Sequence, residues 1–262
     1  MGRQLKKTLE TLNDLYGGNT VFKLGEVPNL NLEFVSTGIP QIDEIMGGGF
    51  PKGRIVEIFG MEGSGKTTLA LHACAKAQRD GLVAYIDVEH SVNPEWATKL
   101  GVNINDLYFA QPGCAEEALD IIEKLIETEQ FGLIVVDSVA ALVPKVELEG
   151  EAGEAHVGLQ SRLMSQFMRR LTSRIASSHT CLLFINQIRM KIGVMYGNPE
   201  TTSGGLALKY YASIRLSLKK QKVTREKDIP IFVETKITAI KNKVAEPFQD
   251  CTFKIHFDGQ LT

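Results

Sequence analysis

Nine consecutive residues, Gly60-Met61-Glu62-Gly63-Ser64-Gly65-Lys66-Thr67-Thr68, have the types and spacing to hold a polyphosphate. Glycines at 60, 63 and 65 let the backbone wrap close around phosphate oxygens, Lys66 is placed for the β- and γ-phosphates, and the Thr67 hydroxyl suits Mg2+. Such a loop works only where a strand delivers it to a helix N-terminus, whose orphan N–H groups and positive dipole end face the anion. Both flanks are present. Ile55, Val56, Ile58 and Phe59 form an apolar strand before the loop, and Leu69, Leu71, Ala73 and Ala77 follow at helical spacing until Gly81. ATP with Mg2+ is the expected ligand, with Glu62, Ser64 and Thr68 completing the nucleotide-contacting set.

A phosphate loop that hydrolyses ATP also needs acids at neighbouring strand tips. Leu133-Ile134-Val135-Val136-Asp137 is an apolar run ending in a carboxylate, the arrangement that holds Mg2+ through water. Ala84 to Glu89 ends another such strand with Asp87 and Glu89. Glu89 is the candidate base that positions the attacking water; the competing reading is a carboxylate capping the helix that starts near Pro94. His90 is taken as structural. Phe184-Ile185-Asn186-Gln187 brings an amide to a further strand end. Gln187 can change hydrogen-bond partners without changing charge, which fits a γ-phosphate sensor. Trp96, the one tryptophan, is placed either to stack on adenine or to pack in the core.

These residues need a scaffold, and the chain has the material for one. With 262 residues, 44% of them hydrophobic, it can bury the core of one sizeable α/β domain. No stretch has the apolar length of a membrane span and the first sixteen residues do not read as a signal peptide, so a cytoplasmic protein without membrane partners is expected. Cys74, Cys114, Cys181 and Cys251 lack metal or redox spacing and read as reduced, structural thiols. The net charge of −2 hides an asymmetry: residues 1–161 hold 12 Lys and Arg against 24 Asp and Glu, whereas residues 162–262 hold 17 against 7. The second part is the one suited to a polyanion, unless its basic face is balanced internally by the acidic part.

In chain order, Leu5, Leu9, Leu12 and Leu15 stripe one face of an N-terminal helix that Gly17-Gly18 stops, ahead of a short strand at 21–24. Ile39 to Met46 reads as a short helix, and Gly47-Gly48-Gly49 as a flexible break. Then strands and helices alternate: strand 82–87, helix 94–100, strand 107–110, helix 115–129, strand 133–137, helix 159–177, strand 181–186. Alternation of this kind means parallel strands joined by crossover helices. Strands at 214–219, 231–240 and 253–257 follow with only turns between, an antiparallel extension, and Lys219 to Asp228 reads as an exposed hairpin loop. Two long connections, 144–158 and 188–205, leave the carboxyl edge of the sheet on the nucleotide side, where α/β proteins place their sites.

The phosphate loop, Asp87-Val88-Glu89-His90, Val136-Asp137-Ser138-Val139-Ala140-Ala141-Leu142, and above all Phe184-Ile185-Asn186-Gln187-Ile188-Arg189-Met190-Lys191-Ile192-Gly193 with Gly197-Asn198-Pro199-Glu200-Thr201-Thr202, resemble the bacterial RecA recombinase family. The resemblance runs from about Leu5 to Phe257. It implies an α/β RecA-type ATPase core with a mostly parallel sheet, an antiparallel extension and helices on both faces. It also implies a helical homopolymer on single-stranded DNA that pairs with homologous duplex and exchanges strands, with DNA-dependent hydrolysis of ATP. A ring-forming motor or regulatory ATPase of the same fold is the alternative.

On this resemblance residues 1–32 are an oligomerisation segment, its helix docking on a neighbouring subunit, and residues 33–262 the core, with DNA-contacting loops at 149–159 and 188–205. Arg162, Arg169 and Arg189 match positions near the DNA backbone. Met190, Ile192 and Val194 supply apolar contacts, and Lys191, Gly204 and Gly205 complete the set. Lys241 and Lys243 match lysines that reach the γ-phosphate held by the next subunit. Departures from the family pattern are Asn93 for an aspartate, Trp96 for the adenine-stacking tyrosine, Leu206 for an asparagine and Tyr210 for a phenylalanine. The small C-terminal domain and acidic tail of the family are not expected here.

Overall fold

A computed structural model describes residues 2–17, 20–21, 23, 32–151, 158–190 and 199–262. The chain divides into two units, Met1–Leu32 and Glu33–Thr262. In the first, helix α1 (Arg3–Tyr16) has no buried residue, and Leu5 and Leu15 are exposed. Phe22 and Leu24 of the expected strand lie outside the described residues.

The second unit opens with β1 (Phe34–Val35), α2 (Pro40–Met46) and β2 (Phe50–Pro51). Pro40 sits in the first turn of α2, where its missing N–H costs nothing. The three glycines after α2 are a packed turn and not the flexible break expected. A Cβ on Gly49 would lie 2.5 Å from the Val35 carbonyl oxygen, so the close approach of β1 and β2 demands glycine.

The alternating core follows as β3 (Ile55–Gly60), α3 (Lys66–Ala77), β4 (Leu82–Asp87), α4 (Pro94–Lys99), β5 (Leu107–Ala110), α5 (Ala115–Glu127) and β6 (Phe131–Asp137). Then come α6 (Lys145–Glu149), α7 (Leu159–Ser177), β7 (Cys181–Met190), β8 (Glu200–Thr202), α8 (Ala207–Tyr211), β9 (Ile214–Glu226), β10 (Ile229–Asn242) and β11 (Asp250–His256). The main sheet has the order β11-β10-β9-β3-β7-β6-β4-β5, with β8 paired to β7. From β9 to β5 every pairing is parallel, and β10 runs antiparallel to both β9 and β11.

Apolar layers cover both faces. Leu133 and Val135 of β6 join the cluster under α2, α3 and α4, while Ile134 and Val136 join the cluster under α5, α7 and α8. All four are fully buried, which is why the strand reads as a continuous apolar run. Each such side chain stabilises the fold by about 1.5–3 kcal/mol.

Two expectations about the connections are corrected. Residues 219–226 are not a loop: β9 continues through them, and a two-residue turn at Lys227 and Asp228, both with positive φ, closes the hairpin to β10. That is the backbone a short hairpin with right-handed strand twist calls for. The second long connection is likewise part structured. β7 extends to Met190 and pairs antiparallel with β8, Ile188 opposite Thr202 and Arg189 opposite Thr201. In the first, α6 occupies 145–149.

Candidate functional site

Register places the chemistry. Gly60 is the partner of Gln187 across β3 and β7, and Asp87 is the partner of Asp137 across β4 and β6, so four strand tips meet at one edge. Glu62, Gly63, Gly65, Lys66, Thr67, Thr68, Glu89, Asp137 and Gln187 line a cleft of about 300 Å3 there. The first bond of the α3 ladder runs from Leu69 N–H to Gly65 C=O at 2.9 Å, leaving the amides ahead of it for an anion. Ser64 Oγ is buried with no partner among the described residues, a polar atom that a phosphate oxygen would satisfy.

Thr67 Oγ1 donates to Asp137 Oδ2 at 2.7 Å, and the Tyr85 hydroxyl donates to the same oxygen at 2.7 Å. Burial pushes the Asp137 carboxyl up, and the bonds from Thr67 and Tyr85 oppose the shift. A hydroxyl and a carboxylate oxygen side by side are the hard donors Mg2+ takes when phosphates and water fill the rest of its shell. The residues present therefore fit the metal. Lys66 Nζ donates to Met61 C=O at 2.9 Å, and burial draws its ammonium below the usual lysine range despite nearby Asp137, Glu89 and Glu62.

Glu89 is not a helix cap. Asn93 caps α4, its Oδ1 accepting from Glu95 N–H at 2.8 Å and Trp96 N–H at 3.1 Å, while Asp87 accepts from Ser91 N–H and Val92 N–H at 3.2 Å each. Glu89 instead turns to the cleft, where its Oε1 accepts from Gln187 Nε2 at 2.9 Å and from the Ser138 hydroxyl. Trp96 packs partly against the core, its Nε1 donating to Thr68 Oγ1 at 3.3 Å, and does not line the cleft.

The remaining candidates lie apart from the cleft. Lys241, on β10, donates to the carbonyls of Lys209 at 2.7 Å and Tyr210 at 2.9 Å, and Lys243 is exposed just beyond the strand. Arg162 and Arg169 are exposed on α7 at a seven-residue spacing that puts them on one face, and Arg189 and Met190 are exposed at the end of β7. Gly204 is buried and Gly205 half-buried. Lys191, Ile192 and Val194 lie outside the described residues.

Sequence reasoning missed Tyr85 and Ser138, which hold the two carboxylates. Tyr85 stands two residues before Asp87 and so shares its face of β4, the one signal available. It also missed a buried cluster beneath the loop. Glu57, fully buried in β3, accepts from Asn186 Nδ2 at 2.8 Å and pairs with Arg215 of β9. An acid inside the apolar run Ile55 to Phe59 was the visible sign. The four cysteines are free, as expected.

Comparison with known proteins agrees with this geometry. A family model described as the RecA N-terminal domain matches residues 3–262. The chain is 48% identical to Protein RecA of Gluconobacter oxydans over 257 residues, which cover 97% of this chain and 74% of that protein. It is 51% identical to Protein RecA of Dichelobacter nodosus, covering 97% and 73%, and 52% identical to that of Brevibacillus brevis, covering 94% and 70%.

Proposed function

The chain belongs to the RecA family, and from that premise we propose that it forms a helical filament on single-stranded DNA, pairs it with homologous duplex and exchanges strands in DNA repair. It is a DNA-dependent ATPase that releases ADP and phosphate. The observation that carries the reading is the meeting, in one cleft, of a phosphate loop, the Thr67–Asp137 pair and Glu89 bonded to Gln187, with Gln187 at the root of the second long connection. A ring-forming ATPase would share the phosphate loop and the acids; the likeness to RecA proteins along the whole chain is what favours the filament.

Each residue then has a role. The amides ahead of Leu69 and the Lys66 ammonium bind the phosphates, and the Ser64 hydroxyl finds an acceptor. Thr67 and Asp137 would hold Mg2+, the latter through water. The ion, when bound, neutralises charge on the phosphate oxygens. Glu89 orients the attacking water and takes its proton. Gln187 leaves Glu89 for the γ-phosphate and returns after its loss, moving the strand that carries Arg189 and Met190. Trp96, outside the cleft lining, would reach the base side of the nucleotide only beside Thr68, to which its Nε1 donates.

Arg162, Arg169 and Arg189 grip DNA phosphates, while Met190, Ile192 and Val194 prop the bases apart, with Lys191, Gly204 and Gly205 beside them. Lys241 and Lys243 reach the γ-phosphate held by the next subunit, and α1 docks on a neighbour, so hydrolysis follows assembly. Among the described residues no helix is long and apolar enough to cross a membrane, which suits work in the cytoplasm.

The test is ATP turnover and filament length with and without single-stranded DNA. Turnover that rises with DNA alongside long filaments is the expected result. Closed rings, or full turnover by a dilute monomer without DNA, would overturn the proposal.

A further inference from the structure

One peptide group at the return end of the second long connection is held from both sides. The Ser203 carbonyl accepts from Asn186 Nδ2 at 3.0 Å, and the N–H of the same peptide, on Gly204, donates to Gln160 Oε1 at 3.2 Å. Asn186 precedes Gln187 directly, and its Nδ2 also reaches buried Glu57 on the phosphate-loop strand.

Gln160, in the first turn of α7, has a second function. Its Nε2 donates to Val139 C=O and Leu142 C=O, both at 2.8 Å, at the two ends of the turn that follows Asp137 and Ser138. One side chain thus ties the segment after the β6 acid, the start of the helix bearing Arg162, and the base of the connection carrying Gly204. Packing leaves no slack. A Cβ on Gly204 would meet Val139 Cγ1 at 2.7 Å, and the residue has positive φ.

We infer that Gln160 is a positioning residue that clamps the Ser203–Gly204 peptide, so that displacement of the second connection by DNA is felt at Asn186–Gln187 and at the Asp137–Ser138 strand tip. It touches neither nucleotide nor reacting atoms. Its work is to make the connection's base and the strand tips one rigid piece, because an amide that donates twice and accepts once cannot shift without losing bonds in a half-buried setting. This rests on the function proposed above for the same site.

The test uses the full chain with Gln160→Leu, close in size but without donor or acceptor, and Gln160→Glu, which keeps the acceptor for Gly204 and loses both donors. Two readouts are taken. In the chain alone, hydrogen exchange at the Gly204 amide should quicken by about tenfold or more in the leucine variant, as the loss of a local protecting bond dictates. In ATPase assays titrated with oligothymidylate, basal rate and KM for ATP should stay within about twofold while the DNA-stimulated kcat falls by about tenfold in both variants at saturating DNA.

Unchanged stimulation in both variants, or stimulation restored simply by more DNA, overturns the inference. So does unchanged Gly204 exchange in the leucine variant. Should that variant not fold, the glutamate variant decides on stimulation. Should the wild-type chain show no DNA stimulation at all, the proposed function fails and the exchange result judges the clamp separately.

Discussion

Gln187 Nε2 donates to Glu89 Oε1 at 2.9 Å across 98 residues of sequence, joining the root of the second long connection to the carboxylate proposed to work on water. Ser138 donates to the same oxygen. A carboxylate with two donors on one oxygen is oriented, and its other oxygen is left for the water proton. The arrangement separates two tasks: Ser138 directly follows β6, whereas Gln187 belongs to the strand that leads away to Met190.

Glu89→Gln should therefore keep ATP binding and lose turnover by about 10²- to 10⁴-fold, the usual worth of a positioned base. The amide can still accept from Ser138 and Gln187, so folding is expected to be unaffected. With hydrolysis stopped, filaments should persist. Nucleotide binding by fluorescence of Trp96 beside phosphate release checks both halves, and normal turnover would remove Glu89 from the mechanism.

Arg169→Ala tests the proposed DNA face of α7. Arg169 is exposed and makes no ion pair among the described residues, so the change should leave stability within about 0.5 kcal/mol. DNA affinity should fall and the slope of log K against log salt should flatten by about one, the loss of one phosphate contact. An unchanged slope would place this arginine away from the backbone of the nucleic acid.

The tips of β4, β6 and β7 were legible because each has a buried apolar run that leads into a polar residue; Leu133 to Asp137 is the plainest case. The stem of the second connection was not, because Ile188 to Met190 and Glu200 to Thr202 pair across a gap in sequence and show no period of their own. Residues 219–226 misled for another reason. Their lysines mark a solvated strand as readily as a turn, and only the positive φ at Lys227 and Asp228 separates the two. Tyr85 and Ser138 act through hydrogen bonds to residues tens of positions away, which no local pattern encodes.

The Glu57–Arg215 pair gives a stability prediction. Glu57 is fully buried and bonded on one oxygen to Asn186 and on the other to Arg215, whose guanidinium lies 4.8 Å from the Phe59 ring centroid. Arg215→Met leaves a buried carboxylate with half its partners and should cost about 3–5 kcal/mol in denaturant unfolding. Adding Glu57→Gln removes the uncompensated charge and should return much of it. A double variant as unstable as the single one would mean that packing of the arginine stem, not charge, dominates.

Lys241 carries the last prediction. In the single protomer its ammonium is held by the carbonyls of Lys209 and Tyr210, at the end of α8, and burial, reinforced by Lys243 and Arg215, draws it down to about 8. Below that pH it is a cation able to meet a γ-phosphate; above it the group is increasingly neutral. The start of assembly with ATP and DNA should therefore slow as pH rises through about 8, and Lys241→Arg, charged throughout, should slow far less. Lys241→Ala should bind ATP normally yet lose DNA-stimulated hydrolysis by about 10²-fold or more, the scale of a lost charge-stabilising group. Mixing decides where the lysine acts. If it serves the neighbouring subunit, Lys241→Ala chains should recover turnover when combined with Lys66→Ala chains, since each supplies what the other lacks at a shared interface. If it acts within its own protomer, no mixture of the two will turn over ATP.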